Sequence, residues 1–375
     1  MFTRKTNVLF NKKERENIMK WMDECVCEAP LVCSSMLKKR ESIVEKLVNL
    51  YCSKKYSKIV LVGSGSSNNI ATCAKPALEK FLNIKVDVHT PIAFEKFEYK
   101  FNENALIICM SQSGRSTNTI KAVLKAKECG LDVAAISMMP NSPIDNYCDN
   151  VLEYGSYIGE GDSFVCRYFA GSVLYFCMFA LEAGLKTGTI SKEDHKKYLK
   201  QLEDAVKIMP NSIEAVNRFY NTNNKDLLSM KRCMVMGIGD LIGIANEATL
   251  KFSETTGIPT NGYEFEEFLH GPAYEVKKDH ALFFLDGNPI VHDRIIQIYN
   301  EMNQLTDKVY LVTDSDIYGD KVINIPNQVD PVFKVLLYLV CVQLIPARIC
   351  NDTSARAITI YNYRVQQALV TKQDK

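Results

Sequence analysis

Three ionisable residues in the second half of the chain are spaced for acid–base chemistry. The run Asn246-Glu247-Ala248-Thr249-Leu250-Lys251-Phe252-Ser253-Glu254 reads as a helix. Glu247, Lys251 and Glu254 then fall at i, i+4 and i+7, on one helical face. A solvated Glu–Lys pair is the plainer reading of that spacing. Against it stands position, because the helix follows a glycine loop at a strand end, where a substrate should sit. Sixteen residues after Glu254 comes His270, in Leu269-His270-Gly271-Pro272. A loop histidine beside a carboxylate helix is a candidate for proton transfer. His89, His195, His280 and His292 have no such setting.

A second cluster lies earlier, in Met110-Ser111-Gln112-Ser113-Gly114-Arg115-Ser116-Thr117-Asn118-Thr119. It follows Ala105-Leu106-Ile107-Ile108-Cys109-Met110, which has the length and branching of a buried strand. After it, Ile120, Val123 and Leu124 recur at helical spacing through Lys127. Amides at a helix start lack intrahelical partners and sit at the positive end of the dipole, which suits a phosphate. Ser111, Ser113, Ser116 and Thr117 add hydroxyl donors, and Gly114 lets backbone come close. Ser and Thr also favour helix caps, so capping alone explains the same residues.

The elements that must position these clusters follow from the rest of the chain. At 375 residues it is long enough for two domains. Its 47% apolar and 24% charged content and formal net charge of +1 give no global pull toward nucleic acid or an acidic membrane. Thirteen cysteines are scattered, with no Cys-x-x-Cys pair and no ligand spacing for zinc, so no metal is expected. The N-terminus does not resemble a secretory signal, so free thiols in a reducing cytoplasm are expected. Tyr168 to Leu181 and Val332 to Ile345 are strongly apolar but shorter than the ~20 residues that span a bilayer. They read as buried helices.

Along the chain, a helix over Lys12 to Cys27 is expected to close at Ala29-Pro30, and a second to run from Ser34 to Cys52. Residues 1–45 form an N-terminal helical arm lying on the body or on a partner subunit. Residues 46–190 form a first domain, 191–230 a helical linker, and 231–375 a second domain with a C-terminal tail. From Lys58 strands and helices alternate, the mark of a parallel sheet covered on both faces. Ligands of such sheets bind at the carboxyl ends of strands, where loops Gly63 to Ser67 and Ser111 to Ser116 both fall. Gly63-x-Gly65 invites a dinucleotide reading, but Asn68 stands where the third glycine belongs. Ile59 to Ala71 can be laid on Cys233 to Ala245, matching Gly63 with Gly237 and Gly65 with Gly239. Ala105 to Ile108 meets Ala281 to Phe284 at nearly the same offset. Two copies of one α/β unit follow. The second carries Asp286-Gly287-Asn288-Pro289 in place of Ser111-Gln112-Ser113-Gly114, so only the first looks able to hold a phosphate.

These residues resemble a family, the double-domain sugar isomerase (SIS) proteins. The likeness is greatest to ketosamine-6-phosphate (fructosamine) deglycases and to the isomerase half of glutamine–fructose-6-phosphate aminotransferase. Ser111 to Gly114 resembles the family's Ser-Gln-Ser-Gly phosphate turn, with Ser116 and Thr119 at its following hydroxyls. Gly65-Ser66-Ser67 resembles its Gly-Thr-Ser loop. Glu247, Lys251, Glu254 and His270 match its Glu…Lys…Glu helix and His-Gly-Pro, with the spacing kept. The resemblance implies two tandem SIS domains, each a flavodoxin-like three-layer sandwich. It implies phosphate and sugar binding by Gly65, Ser66, Ser67, Ser111, Gln112, Ser113, Ser116 and Thr119. Glu254 and His270 become the catalytic pair, with Glu247 and Lys251 in support. Hydroxyls and amides hold a dianion unaided, so no cofactor is implied. It further implies a homodimer in which His270 reaches the neighbouring site, with no nucleic-acid or membrane partner.

Departures from the family shape the expected activity. The chain opens Met1-Phe2, not with the second-position cysteine of a synthase's glutaminase domain, so no internal ammonia source is expected. The tail from Asn351 to Val365 lacks the synthases' lysine-bearing loop and is more like a deglycase end. Gly161-Asp162-Ser163-Phe164-Val165-Cys166-Arg167 replaces the family's Val-Ala-Ser-Thr-Lys segment. The expected enzyme is a fructosamine-6-phosphate deglycase, releasing glucose 6-phosphate and an amine or amino acid. The alternatives are a glucosamine-6-phosphate isomerase/deaminase or ammonia-dependent synthase-like enzyme, and a non-catalytic sugar-phosphate sensor.

Overall fold

The computed structural model describes residues 21–159, 161–353, 365 and 368–373. Two five-stranded parallel sheets make up its frame. The first contains β1 (Lys58–Gly63), β2 (Lys85–His89), β3 (Ala105–Met110), β4 (Asp132–Ser137) and β5 (Val151–Glu153), in the order β2-β1-β3-β4-β5. The second contains β6 (Arg232–Gly237), β7 (Thr260–Glu264), β8 (His280–Asp286), β9 (Val309–Thr313) and β10 (Val322–Asn324), in the order β7-β6-β8-β9-β10. Both are the flavodoxin-like order 2-1-3-4-5, which places a topological switch at the carboxyl ends of the first and third strands. The internal repeat is thus real at the level of topology. In each sheet the middle strand, β3 or β8, is buried along its whole length, as covering on both faces requires.

Helices pack on these sheets and on each other. In chain order the α-helices of five or more residues are α1 (Met22–Lys38), α2 (Arg40–Cys52), α3 (Ser66–Leu82), α4 (Thr117–Glu128), α5 (Cys166–Thr187), α6 (Lys192–Ser229), α7 (Ile242–Thr256), α8 (Phe265–Leu269), α9 (His292–Met302) and α10 (Pro331–Thr353). Helix α1 corrects one expected boundary, because it runs through Pro30 instead of ending there. Proline costs a helix about 3 kcal/mol. Here Cys25, Val26, Ala29, Cys33 and Met36 are buried on both sides of it, and Val26 and Met36 each return ~1.5–3 kcal/mol. The first expected helix begins before residue 21, outside the described residues. The second starts at Arg40, not Ser34.

The two apolar stretches are buried helices, but longer than the sequence suggested. The helical stretch Ser163–Thr187, which includes α5, and α10 are each long and apolar enough to cross a membrane, and 89% and 94% of their apolar windows lie inside the protein. They are core helices. One continuous core joins α1, α3, α5, α6 and α10 to one face of both sheets, so the two copies are packed together by their helices. None of the thirteen cysteines is in a disulfide.

Candidate active site

The site is assembled where α3 crosses α7. Each follows a strand ending in glycine, and both glycines are dictated by close approach. A Cβ on Gly63 would lie 2.9 Å from Ser67, and one on Gly237 would lie 2.6 Å from the Leu241 carbonyl oxygen. Gly65 takes φ +58°, a left-handed turn that glycine adopts at little cost. At Gly243, in the first turn of α7, a Cβ would meet Cys73 Sγ at 2.4 Å and the Asn69 carbonyl oxygen at 2.8 Å. The two helices therefore nearly touch at their first turns. One turn beyond that contact, Glu247 faces the start of α3.

That crossing creates a buried polar network between the copies. Ser66 Oγ donates to Glu247 Oε1 at 2.9 Å and Asn69 Nδ2 donates to Glu247 Oε2 at 2.8 Å. Lys251 Nζ lies 3.2 Å from Glu247 Oε1, donates to Ser66 Oγ at 3.2 Å and to Glu254 Oε2 at 3.0 Å. The side chains of Glu247 and Lys251 are 0% and 1% exposed, whereas that of Glu254 is 43% exposed. The solvated surface pair is thereby excluded. Burial pushes the Glu247 carboxyl up, while Lys251, Asn69 and Ser66 pull it back. Burial alone would lower Lys251, but Glu247 and Glu254 more than offset that and hold its ammonium charged. The result is a fixed cation beside one carboxylate that can reach solvent.

Replacing Gly243 with alanine is expected to wedge α3 and α7 apart. Overpacking of this kind costs about 1–3 kcal/mol, and it displaces Glu247 from Asn69 and Ser66. A urea titration should show the loss, together with a fall in activity larger than stability alone explains.

The hydroxyl-rich turn after β3 lies on the other side of the same glycine loop. Asn118 Nδ2 donates to Ser64 Oγ at 3.0 Å, tying α4's first turn to the loop that feeds α3. Ser111 is buried and, among the described residues, its hydroxyl has no hydrogen-bond partner, an open donor of the kind an anion would satisfy. Gly114 has φ +62°, and a Cβ there would collide with Ser142 Oγ at 2.0 Å. Ser116 occupies the N-cap of α4 without a side-chain capping bond, so capping does not account for its hydroxyl. Ser113 Oγ accepts from the Arg115 amide at 3.3 Å, and the Gln112 carbonyl accepts from Met138 N. Ser67 is buried near the start of α3. Thr119 is 1% exposed, its amide donating to Asn118 Oδ1 at 2.8 Å.

The second copy does not repeat this chemistry. Asp240 stands at the position of Ser66, and Asp286 is buried at the end of β8, bonded to Thr313 and His292. Burial, then the nearby Asp330, raise the Asp240 carboxyl from 3.8 to about 6. The folded state therefore holds its proton at pH values where the unfolded state has released it. Stability falls as pH rises from about 4 to 6 and is then level. Asp240→Asn should be neutral below pH 4, increasingly stabilising up to pH 6, and constantly so above, as read by denaturant melts across that range.

His270 is exposed in the turn after α8. Among the described residues no hydrogen bond or ion pair joins it to Glu254 or Lys251. Residues 161–167, which match no family segment, border the network. Asp162 caps α5 through the amides of Arg167 and Tyr168, both at 2.9 Å, and Arg167 bonds Glu28 at 2.7 Å. Phe164 and Val165 are both left-handed, at φ +55° and +67°, a strained conformation for a β-branched residue. Burial raises the next residue, Cys166, which also feels the charge of Lys251. Among the described residues no group of three or more His, Cys, Asp or Glu could hold a metal.

Comparison with known proteins decides the family. A model of the SIS domain matches the chain twice, over residues 50–156 and 226–318. The chain belongs to the SIS domain family. The first SIS match takes in β1 to β5 and the loops Gly63 to Ser67 and Ser111 to Ser116, and the second carries the Glu247–Glu254 helix and His270. Among curated relatives, glutamine–fructose-6-phosphate aminotransferase of Caldanaerobacter subterraneus is 26% identical over 76% of this chain and 47% of its own. That of Bradyrhizobium diazoefficiens is 23% identical over 80% and 50%. The chain thus spans about half the length of these relatives. Among solved structures, a candidate phosphosugar isomerase of Clostridium difficile superposes with a TM-score of 0.86 at 24% identity, over 94% of this chain and 99% of that one. The C-terminal domain of the Francisella tularensis aminotransferase gives 0.77 at 18%, over 91% and 98%.

Proposed function

We propose that the protein is a 6-phosphosugar enzyme of the deglycase type, hydrolysing a fructosamine 6-phosphate to glucose 6-phosphate and an amine. The observation that carries the reading is the Lys251–Glu254 contact at 3.0 Å, anchored through Ser66 to the loop that also holds the anion turn. The phosphate would rest on Ser111, Gln112, Ser113 and Ser116. Glu254 takes a proton from C1 of the open-chain ketosamine, giving an enaminol. Return of a proton to C2 leaves a C1 imine, water adds at C1, and the C–N bond breaks to release the amine and the aldose. Lys251 stays protonated and stabilises the negative charge that develops at C1 and O2. His270, exposed and unconnected to Glu254 within one chain, would complete a second copy's site as the acid–base group for ring opening, which makes the working unit a homodimer.

A coupled assay for glucose 6-phosphate, run over a panel of fructose-amino-acid 6-phosphates, tests this. Release from at least one of them is expected. Silence across the panel, with activity on glucosamine 6-phosphate or on fructose 6-phosphate plus ammonia, would move the assignment to an isomerase–deaminase. Binding of fructose 6-phosphate with no turnover of any of these would make it a sensor.

A further inference from the structure

The end of the chain returns to the anion turn. Residues 370–373 lie antiparallel to the start of α4, with Ser116 and Lys372 forming a β-bridge. Thr117 donates its amide to the Thr371 carbonyl at 3.2 Å and its hydroxyl to the Val370 carbonyl at 3.0 Å. Arg115 and Gln373 bond reciprocally. The Gln373 amide donates to the Arg115 carbonyl at 2.8 Å, and Arg115 Nε donates to the Gln373 carbonyl at 2.7 Å. Arg115 is the sole charged residue from Ser111 to Thr119, so the turn itself brings little charge to a dianion.

We infer that this C-terminal segment completes the phosphate subsite, orienting Arg115 and delivering Lys372 as a second cation. Residues directly opposite in an antiparallel pair project from the same face. Lys372 therefore shares a face with Ser116, whose hydroxyl is not used in capping. Ser111, buried on the same turn and without a hydrogen-bond partner among the described residues, is the independent sign that an anion belongs there. The segment also consumes the Thr117 donors, leaving the hydroxyls of Ser111 and Ser116 for the ligand. Charge-assisted bonds from two cations hold a phosphate about twice as strongly as neutral donors do, and they make its binding salt-sensitive. The inference rests on the phosphosugar reading above and adds to it a substrate-binding residue outside both SIS matches.

Titration calorimetry with fructose 6-phosphate tests it on the intact chain, on Lys372→Gln, and on a chain ending at Leu369. The variants should bind about tenfold more weakly, with a shallower dependence on salt, while their unliganded melting temperatures stay at the parent value. The point variant keeps the test valid if the shortened chain folds poorly. Equal binding by all three would overturn the inference alone. Tighter binding by the shortened chain would also overturn it, showing the segment to be a plug. Failure of the intact chain to bind any sugar phosphate would remove the phosphosugar reading itself.

Discussion

Glu254→Gln is expected to lower turnover by about 100- to 10,000-fold, the range that one positioned acid–base group supplies. The amide keeps the shape of the carboxylate and can still accept from Lys251 Nζ, now 3.0 Å from Glu254 Oε2. It cannot take a proton from carbon. Glu254 is 43% exposed and leaves the buried part of the network intact, so stability should change little. The anion turn lies on the other SIS domain, so the dissociation constant of fructose 6-phosphate should stay within about twofold, a change worth only ~0.4 kcal/mol. Steady-state kinetics with parallel calorimetry separate the two effects. Normal turnover in this variant would remove Glu254 from the mechanism.

Lys251→Met should have the largest effect on stability. Breaking a buried ion pair from one side leaves the other charge uncompensated and costs about 3–5 kcal/mol. Glu247 would keep its donors on Ser66 and Asn69 but lose the ammonium 3.2 Å away. Burial already raises the Glu247 carboxyl above its ordinary 4.5, and Lys251 is the first of the groups restraining that rise. Without Lys251 the folded state would hold the Glu247 proton to still higher pH, while the unfolded state releases it near 4.5. The deficit should therefore be smaller at pH 5 than at pH 8. Adding Glu247→Gln should recover part of the loss at pH 8, because no carboxylate then remains to be ionised in the interior. Urea titrations of the single and double variants at both pH values check the sign. A deficit independent of pH, with no recovery in the double variant, would mean that packing and not charge is what Lys251 supplies.

Much of this arrangement is legible in the sequence because it depends on local periodicity. The apolar runs at β1, β3, β6 and β8 announce parallel strands, and Gly63/Gly65 against Gly237/Gly239 announce the repeat. The shared face of Glu247, Lys251 and Glu254 follows from helical geometry. Their burial does not, since an i, i+4 Glu–Lys pair has the same spacing on a wet surface. What decides between the two is Gly243, whose missing side chain lets α7 meet α3, and Asn69, which supplies the second donor to Glu247. Neither stood out, because a helix crossing joins residues more than 170 positions apart, and no local pattern records it. The glycine fingerprint ends on Asn68, one residue short of the one that bonds Glu247. The path of α1 through Pro30 was hidden for a similar reason, as burial on both flanks outweighs the local cost. The return of residues 370–373 to the start of α4 has no sequence signal, since only one isolated bridge, Ser116 to Lys372, joins two stretches more than 250 positions apart.

The most direct test uses a fructosamine 6-phosphate carrying two deuterium atoms at C1. The glucose 6-phosphate released can carry only one deuterium at C1, and if Glu254 moves the other off as an exchangeable proton, part of it must be lost to water, leaving solvent hydrogen at C2. Turnover should also slow several-fold relative to the protium substrate if C–H cleavage limits the rate. Mass spectrometry and proton NMR of the product read both positions. Complete transfer of the second deuterium to C2 with none reaching water, at a rate that Glu254→Gln does not lower, would contradict proton abstraction at C1 and the role given to Glu254 and Lys251.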